Sequence, residues 1–230
     1  MKGSPHEVPS TGHTGHHRRP RPWCVGLRRR RGESGQRLRL ADRDPDGARA
    51  VAQIDQLTGV STAVTLDAGF VEALTTLKLT PSPVGDAEIS EKGVATFPIT
   101  GGDVTYYEPG TVSPYVQGAI MHDGSGLQLK GGGKTVRLTD FVVDPGGSVL
   151  TGKVTVDGEV AAESTPLFFL DGGTLEPLKV NESDGTAVLE GATVEFKDES
   201  AQLLNETFGV DALEGGLEVG VAKITVNTGA

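Results

Sequence analysis

The chain has 230 residues, with 21 lysines and arginines against 31 aspartates and glutamates (net −10), 33 glycines, one cysteine and one tryptophan. The charge is divided: residues 1–50 carry 12 basic and five acidic residues (net +7), and residues 51–230 carry nine and 26 (net −17). One cysteine excludes an internal disulfide framework, and the acidity of the longer part argues against nucleic acid or an anionic lipid surface as its partner.

Residues 1–57 read as a leader rich in Arg, His, Pro and Gly, with runs such as Arg28-Arg29-Arg30-Arg31. Its longest apolar cluster, Trp23 to Leu27, is interrupted by Gly26. That is too little apolar surface to offset chain entropy, so disorder is expected. It holds no apolar stretch of the kind a signal peptide carries. Its composition also matches GC-rich DNA translated out of frame, which makes a misplaced start an equal expectation.

From residue 58 the chain turns to Val, Thr, Leu and Gly with period-2 alternation. Strand-like runs cover 61–66, 94–100, 104–107, 115–122, 127–130, 135–143, 150–156, 167–170, 186–189, 192–196 and 222–226. Turn signals separate them, among them Asp123-Gly124, Gly131-Gly132-Gly133, Asp157-Gly158 and Asp184-Gly185. Two segments break the alternation. Asp67 is placed to cap a helix bearing Phe70, Leu74 and Leu77, and Asp198 to cap one bearing Leu204 and Phe208, with Gly209 at its end.

These helices belong to a repeat. Val64 and Leu66 recur as Val194 and Phe196, and the segment from Gly93 recurs from Gly220, so both copies read strand, helix, loop, strand. Neither copy is large enough to bury its apolar face alone, so the two ends should pair in space. The expected fold is mainly β: an antiparallel sandwich or barrel-like meander over residues 58–228, one domain, with two short helices in repeated units at its ends. No apolar run after residue 50 is long enough to span a membrane.

The chemistry-bearing motifs are weak. Gly131-Gly132-Gly133-Lys134-Thr135 lacks the first glycine of a phosphate loop, since position 128 is glutamine, and an alternating strand follows it. Glu182-Ser183-Asp184-Gly185 and the Asp140/Asp144 pair read as surface turns, with weak Ca²⁺ binding as the alternative. The acidic body has no cysteine and one histidine, and no serine stands in a nucleophile elbow. Nucleophilic catalysis is therefore not expected. A carboxylate pair acting on a glycosidic bond stays open as a third reading.

His122 is the most informative polar residue. Val116, Gly118, Ile120 and His122 share one strand face, and Tyr106, Tyr107 and Tyr115 flank the same region. A tyrosine and a histidine brought together at one sheet end could hold haem iron, with phenolate as ligand and imidazole tuning it. The alternative is a strand-end histidine with its ring in water.

The stretch from Phe97-Pro98 through Gly101-Gly102, then Gly118-Ala119-Ile120-Met121-His122 with Gly126-Leu127, residues 136–143 and Gly152, resembles secreted actinobacterial HtaA-type domains. Residues 198–221 resemble the Ala-rich helix and glycine turn near the ends of those domains. The family is one of β-rich haem-acquisition modules, and the resemblance implies a secreted or cell-envelope location and His122 in the histidine position. The family's N-terminal tyrosine has no counterpart, since residues 61–79 contain none. Tyr106, Tyr107 or Tyr115 would have to substitute for it. The expected function is a non-catalytic, secreted or surface β-domain with a binding or structural role toward an extracellular component. No cofactor is firmly expected, haem is the alternative, and the state expected is a monomer.

Overall fold

The computed structural model describes residues 50–228. In chain order the strands are β1 (Ala50–Ile54), β2 (Gly59–Leu66), β3 (Thr80–Val84), β4 (Glu88–Ile89), β5 (Val94–Pro98), β6 (Gly101–Tyr107) and β7 (Val116–Gly131). There follow β8 (Lys134–Asp144), β9 (Val149–Val156), β10 (Glu159–Asp171), β11 (Lys179–Asn181), β12 (Thr186–Phe196) and β13 (Glu218–Asn227). Helix α1 (Ala68–Thr76) follows β2, and α2 (Asp198–Phe208) follows β12.

The strands form one open sheet in the order β1-β6-β7-β8-β9-β10-β12-β13-β2-β5-β4, with β11 added on β12 and β3 on the second half of β7. Every named pairing is antiparallel. The sheet curls into two layers, so that β2 and β5 face β7 and β8, with the Phe97 and Phe141 rings edge-on at 5.4 Å. The chain crosses between layers at Ile99-Thr100, where the Thr100 N–H donates to the Met121 carbonyl at 2.8 Å. The expected mainly-β sandwich is thus the fold found.

Local chemistry explains most of the turns. Gly132 and Gly133, both at positive φ, close the β7–β8 hairpin; Asp157 and Gly158 close β9–β10 the same way. Two successive positive-φ residues match the right-handed twist of the flanking strands. The glycine-rich segment is therefore a hairpin tip and not a phosphate loop. Lys134 pairs with Asp157, tying the two tips together on the surface.

The repeat has a spatial meaning. Strand β2 pairs with β5, and β12 with β13, and the two units join where β13 pairs with β2, Val64 opposite Ala222. Each helix then covers one edge of the main core, contributing Phe70 and Leu74 from α1 and Ala201 and Leu204 from α2. Asp67 caps α1 as expected, accepting from the Gly69 and Phe70 N–H groups. Asp198 does not cap α2. The cap position is Lys197, and Asp198 is the first helical residue, favourable there only through the helix dipole. Asp67→Ala should cost about 1 kcal/mol in urea denaturation, while Asp198→Ala should cost only a few tenths of that. Equal losses at the two sites would contradict this assignment.

Two expectations are corrected. The sheet begins before residue 58: Ala50–Ile54 pairs with β6 and buries Ala50, Ala52 and Ile54, and Leu57 is buried just after it. Its alternation is only three residues deep, which hid it. The rest of the expected leader, residues 1–49, lies outside the described residues. Secondly, Asp123-Gly124 is not a turn between strands. Strand β7 runs through it as a bulge, with His122 opposite Phe141 and Gly126 opposite Thr139, so residues 123–125 face Asp140 alone. Asp140 holds the bulge by accepting from the Gly124 N–H at 2.9 Å.

Candidate functional site

His122 sits at the start of that bulge and is 1% exposed, so its ring is neither in water nor at an open sheet end. The imidazole packs edge-on to Phe97 and reaches across the layers to β2. Nε2 lies 2.8 Å from Thr62 Oγ1, and Nδ1 lies 3.4 Å from the Phe141 carbonyl. A carbonyl can only accept, so the proton resides on Nδ1 and the Thr62 hydroxyl donates to Nε2. Burial lowers the pKa to about 4, against a smaller opposing effect of the Phe141 carbonyl and Asp123. His122 is therefore neutral at physiological pH, with both ring nitrogens engaged. The buried Ser125 hydroxyl donates to the His122 carbonyl, which fixes the bulge beside it. No buried side-chain nitrogen or oxygen among the described residues is left without a hydrogen bond.

The tyrosines gather elsewhere. Tyr106 pairs with Val116, six residues along β7 from His122, which is about 20 Å at the strand rise. The Tyr106 and Tyr115 rings meet edge-to-face at 5.6 Å. Tyr107, also buried, receives its neighbour through the backbone, donating its N–H to the Tyr115 carbonyl. Burial, and then Tyr106, raise the pKa of Tyr115, so its phenol keeps its proton at neutral pH. The expected pairing of His122 with Tyr106, Tyr107 or Tyr115 is thus not assembled. The strand face was read correctly, but residues on one face of a strand still separate by nearly 7 Å per step.

What the tyrosines do line is a cavity. Between the layers, at the end of the sandwich closed by β1, lies a space of about 380 Å³ bordered by Tyr106, Tyr115, Val104, Val116 and Leu189. That is within the range of small-molecule sites. Its polar lining includes Gln53, Ser113, Ser148 and Asp171, and among the described residues no lysine, arginine or histidine borders it. Adjoining it between the layers, a smaller apolar space of about 60 Å³ is bordered by His122 and Thr62 and runs on to Leu66 and Val219. The cavity was not legible in the sequence. It lies between β1, β6 and β7 on one side and β10, β12 and β13 on the other, with small side chains such as Ala52, Ala187 and Ala192 in its walls.

Carboxylates elsewhere serve turns and ion pairs. Asp144 and Asp171 accept backbone N–H groups in their own loops. Hydrogen bonds from lysines lower the pKa of Asp157 (Lys134) and of Glu190 (Lys179), which is opposite to what a general acid for glycoside chemistry needs. Among the described residues no group of three or more His, Cys, Asp or Glu side chains is arranged to hold a metal ion. No helix among them is long and apolar enough to cross a membrane.

No protein-family model and no curated protein matches the sequence. Among solved structures, the chain is similar to the C-terminal domain of HtaA from Corynebacterium glutamicum, with a TM-score of 0.53 and 14% identity over 75% of this chain and 98% of that one. A domain-swapped dimer of a histidine-to-alanine variant of the same domain aligns with a TM-score of 0.43 and 14% identity, over 70% and 92%. The resemblance drawn from residues 97–152 holds at the level of the fold.

Proposed function

We propose that this chain is a non-catalytic binding domain that holds an apolar small molecule in the cavity at its Tyr106–Tyr115 end, acting outside the cytoplasm or at the cell envelope. The observation that carries the reading is the cavity: a space of about 380 Å³, lined mainly by apolar side chains and two tyrosines, with few polar groups among them. A single-domain core is ordinarily packed to crystal-like density, and a void of this size among apolar side chains forfeits dispersion energy unless something fills it. The location rests on the resemblance and on a body free of cysteine. Fractionation of the native host, with the protein found only in the cytoplasm, would overturn that part.

Haem held between His122 and a tyrosine does not fit. The imidazole nitrogens are satisfied by Thr62 and Phe141. Burial and Tyr106 disfavour a phenolate at Tyr115. Among the described residues no cationic side chain borders the cavity to meet a propionate.

The test uses the whole chain and two probes, the neutral fluorophore N-phenyl-1-naphthylamine and haemin. The naphthylamine should bind with a dissociation constant on the order of micromolar. Val104→Trp, which projects an indole into the cavity, should weaken it at least about tenfold with little change in thermal midpoint. Haemin should give no Soret shift sensitive to His122→Gln. Failure of the naphthylamine to bind overturns the reading, and a haemin Soret shift abolished by Tyr115→Phe replaces it with haem.

A further inference from the structure

The outer and inner cavities are not independent spaces. Val143 of β8, Leu170 of β10, Ala192 of β12 and Ile224 of β13 border both of them. Leu170, Ala192 and Ile224 are partly buried and pack against the apolar cores on either side. Beyond them the inner space is bordered by aliphatic and aromatic carbon out to Leu66, Leu127 and Val219, apart from Thr62 and His122 on its near walls, which hydrogen-bond each other. From Val116 at the outer wall to His122 at the inner wall is six residues of β7, about 20 Å. The two spaces thus lie one after the other between the layers, the wider at the tyrosines and the narrower running past His122 toward Leu66 and Val219.

The rim sets a second constraint. Asp171 caps the turn after β10 by accepting from the Gly173 N–H, and Gln53, Ser113 and Ser148 complete the mouth. A ligand carboxylate seated there would meet the Asp171 carboxylate with no cation among the described residues to offset it, and a desolvated like-charge pair is unfavourable. An uncharged hydroxyl or ester could instead exchange hydrogen bonds with the serines, the glutamine and the Tyr115 phenol.

We propose that the cavity takes a single long aliphatic chain bearing an uncharged polar head, with the head at the Tyr115–Asp171 mouth and the tail threaded past Ala192 and Ile224, alongside His122 and toward Leu66 and Val219. This rests on the apolar-ligand reading of the same cavity and adds the shape and charge of the ligand. Threading requires rotamer changes of Leu170 and Ile224, the partly buried side chains where the two spaces adjoin. Burial of each methylene contributes a roughly constant increment, so affinity should climb with chain length until the path ends.

Displacement of N-phenyl-1-naphthylamine by straight-chain alcohols, from octanol to tetradecanol, reads this directly. In the wild-type chain each pair of added methylenes should strengthen binding on the order of tenfold. Tetradecanoate should bind at least about tenfold more weakly than tetradecanol at neutral pH. Ala222→Phe, at a position that borders only the inner space, should plug it, leaving octanol and the naphthylamine unaffected and removing the advantage of tetradecanol. Val194→Phe, on the neighbouring strand β12 and likewise bordering only the inner space, provides the same test should Ala222→Phe not fold. Affinity that levels off at octanol, or tetradecanoate binding as tightly as tetradecanol, overturns the proposal while naphthylamine binding leaves the cavity reading intact. Absence of naphthylamine binding overturns both.

Discussion

His122→Ala should destabilise the domain by about 3–5 kcal/mol, and wild type should lose about 3 kcal/mol on acidification that a non-titrating variant does not lose. The first figure combines a cavity left between Phe97 and Phe141 with a Thr62 hydroxyl stranded without its acceptor. The second follows from the pKa, lowered from 6.5 to about 4 by burial. Above pH 6.5 the ring is neutral folded and unfolded, so stability is fully present. Between pH 6.5 and 4 the unfolded chain takes up a proton that the folded state refuses, and stability falls. Below about pH 4 both states are protonated and this loss levels off. The domain is strongly acidic, so other groups also respond to acid. The comparison to make is therefore urea unfolding of wild type against His122→Gln at pH 7 and pH 4.5. If the two lose the same amount, His122 is not buried as described.

Gly118→Val should cost more than about 3 kcal/mol and abolish naphthylamine binding with it. Gly118 lies on β7 between Val116 and Ile120, two walls of the outer cavity, at φ +121°, where side-chain-bearing residues are strained. A Cβ there would stand 2.3 Å from the Asp103 carbonyl oxygen on β6, well inside contact distance, and 3.0 Å from the Val104 Cα. The only relief is to part β6 from β7, which opens the cavity wall. Gly124→Ala is the control. Gly124 also has a positive φ (+74°), but a Cβ there meets nothing within 4 Å, so the loss should stay near 1 kcal/mol. A Gly118→Val protein with wild-type urea midpoint would contradict the β6–β7 geometry.

The comparison of residue pattern with structure is most instructive around β7. Alternation identified the buried face, Val116, Ile120 and His122, because the period of two is a property of the strand itself. The Asp123-Gly124 pair was misread as a turn between strands, because the bulge is held by Asp140 on β8 and Thr100 in the β5–β6 link, residues that no local window contains. The Asp67 cap was legible because the acceptor and its donors lie within three residues. The edge strand Ala50–Ile54 was not, since five residues alternate too briefly to stand out and its pairing partner lies more than fifty residues on.

The sequence by itself determined what depends on neighbours along the chain: the mainly-β class, the hairpins at Gly132-Gly133 and Asp157-Gly158, the two helices, and the repeated units that bring β2 beside β13. Tertiary structure alone decided the candidate site. Whether His122 meets a tyrosine or Thr62, sixty residues away, depends on how one long sheet curls over itself. A void between layers belongs to two facing surfaces at once, so no run of residues in either one encodes it. That curl separated His122 from Tyr106 and Tyr115, and left two adjoining apolar spaces between the layers in place of a shared site.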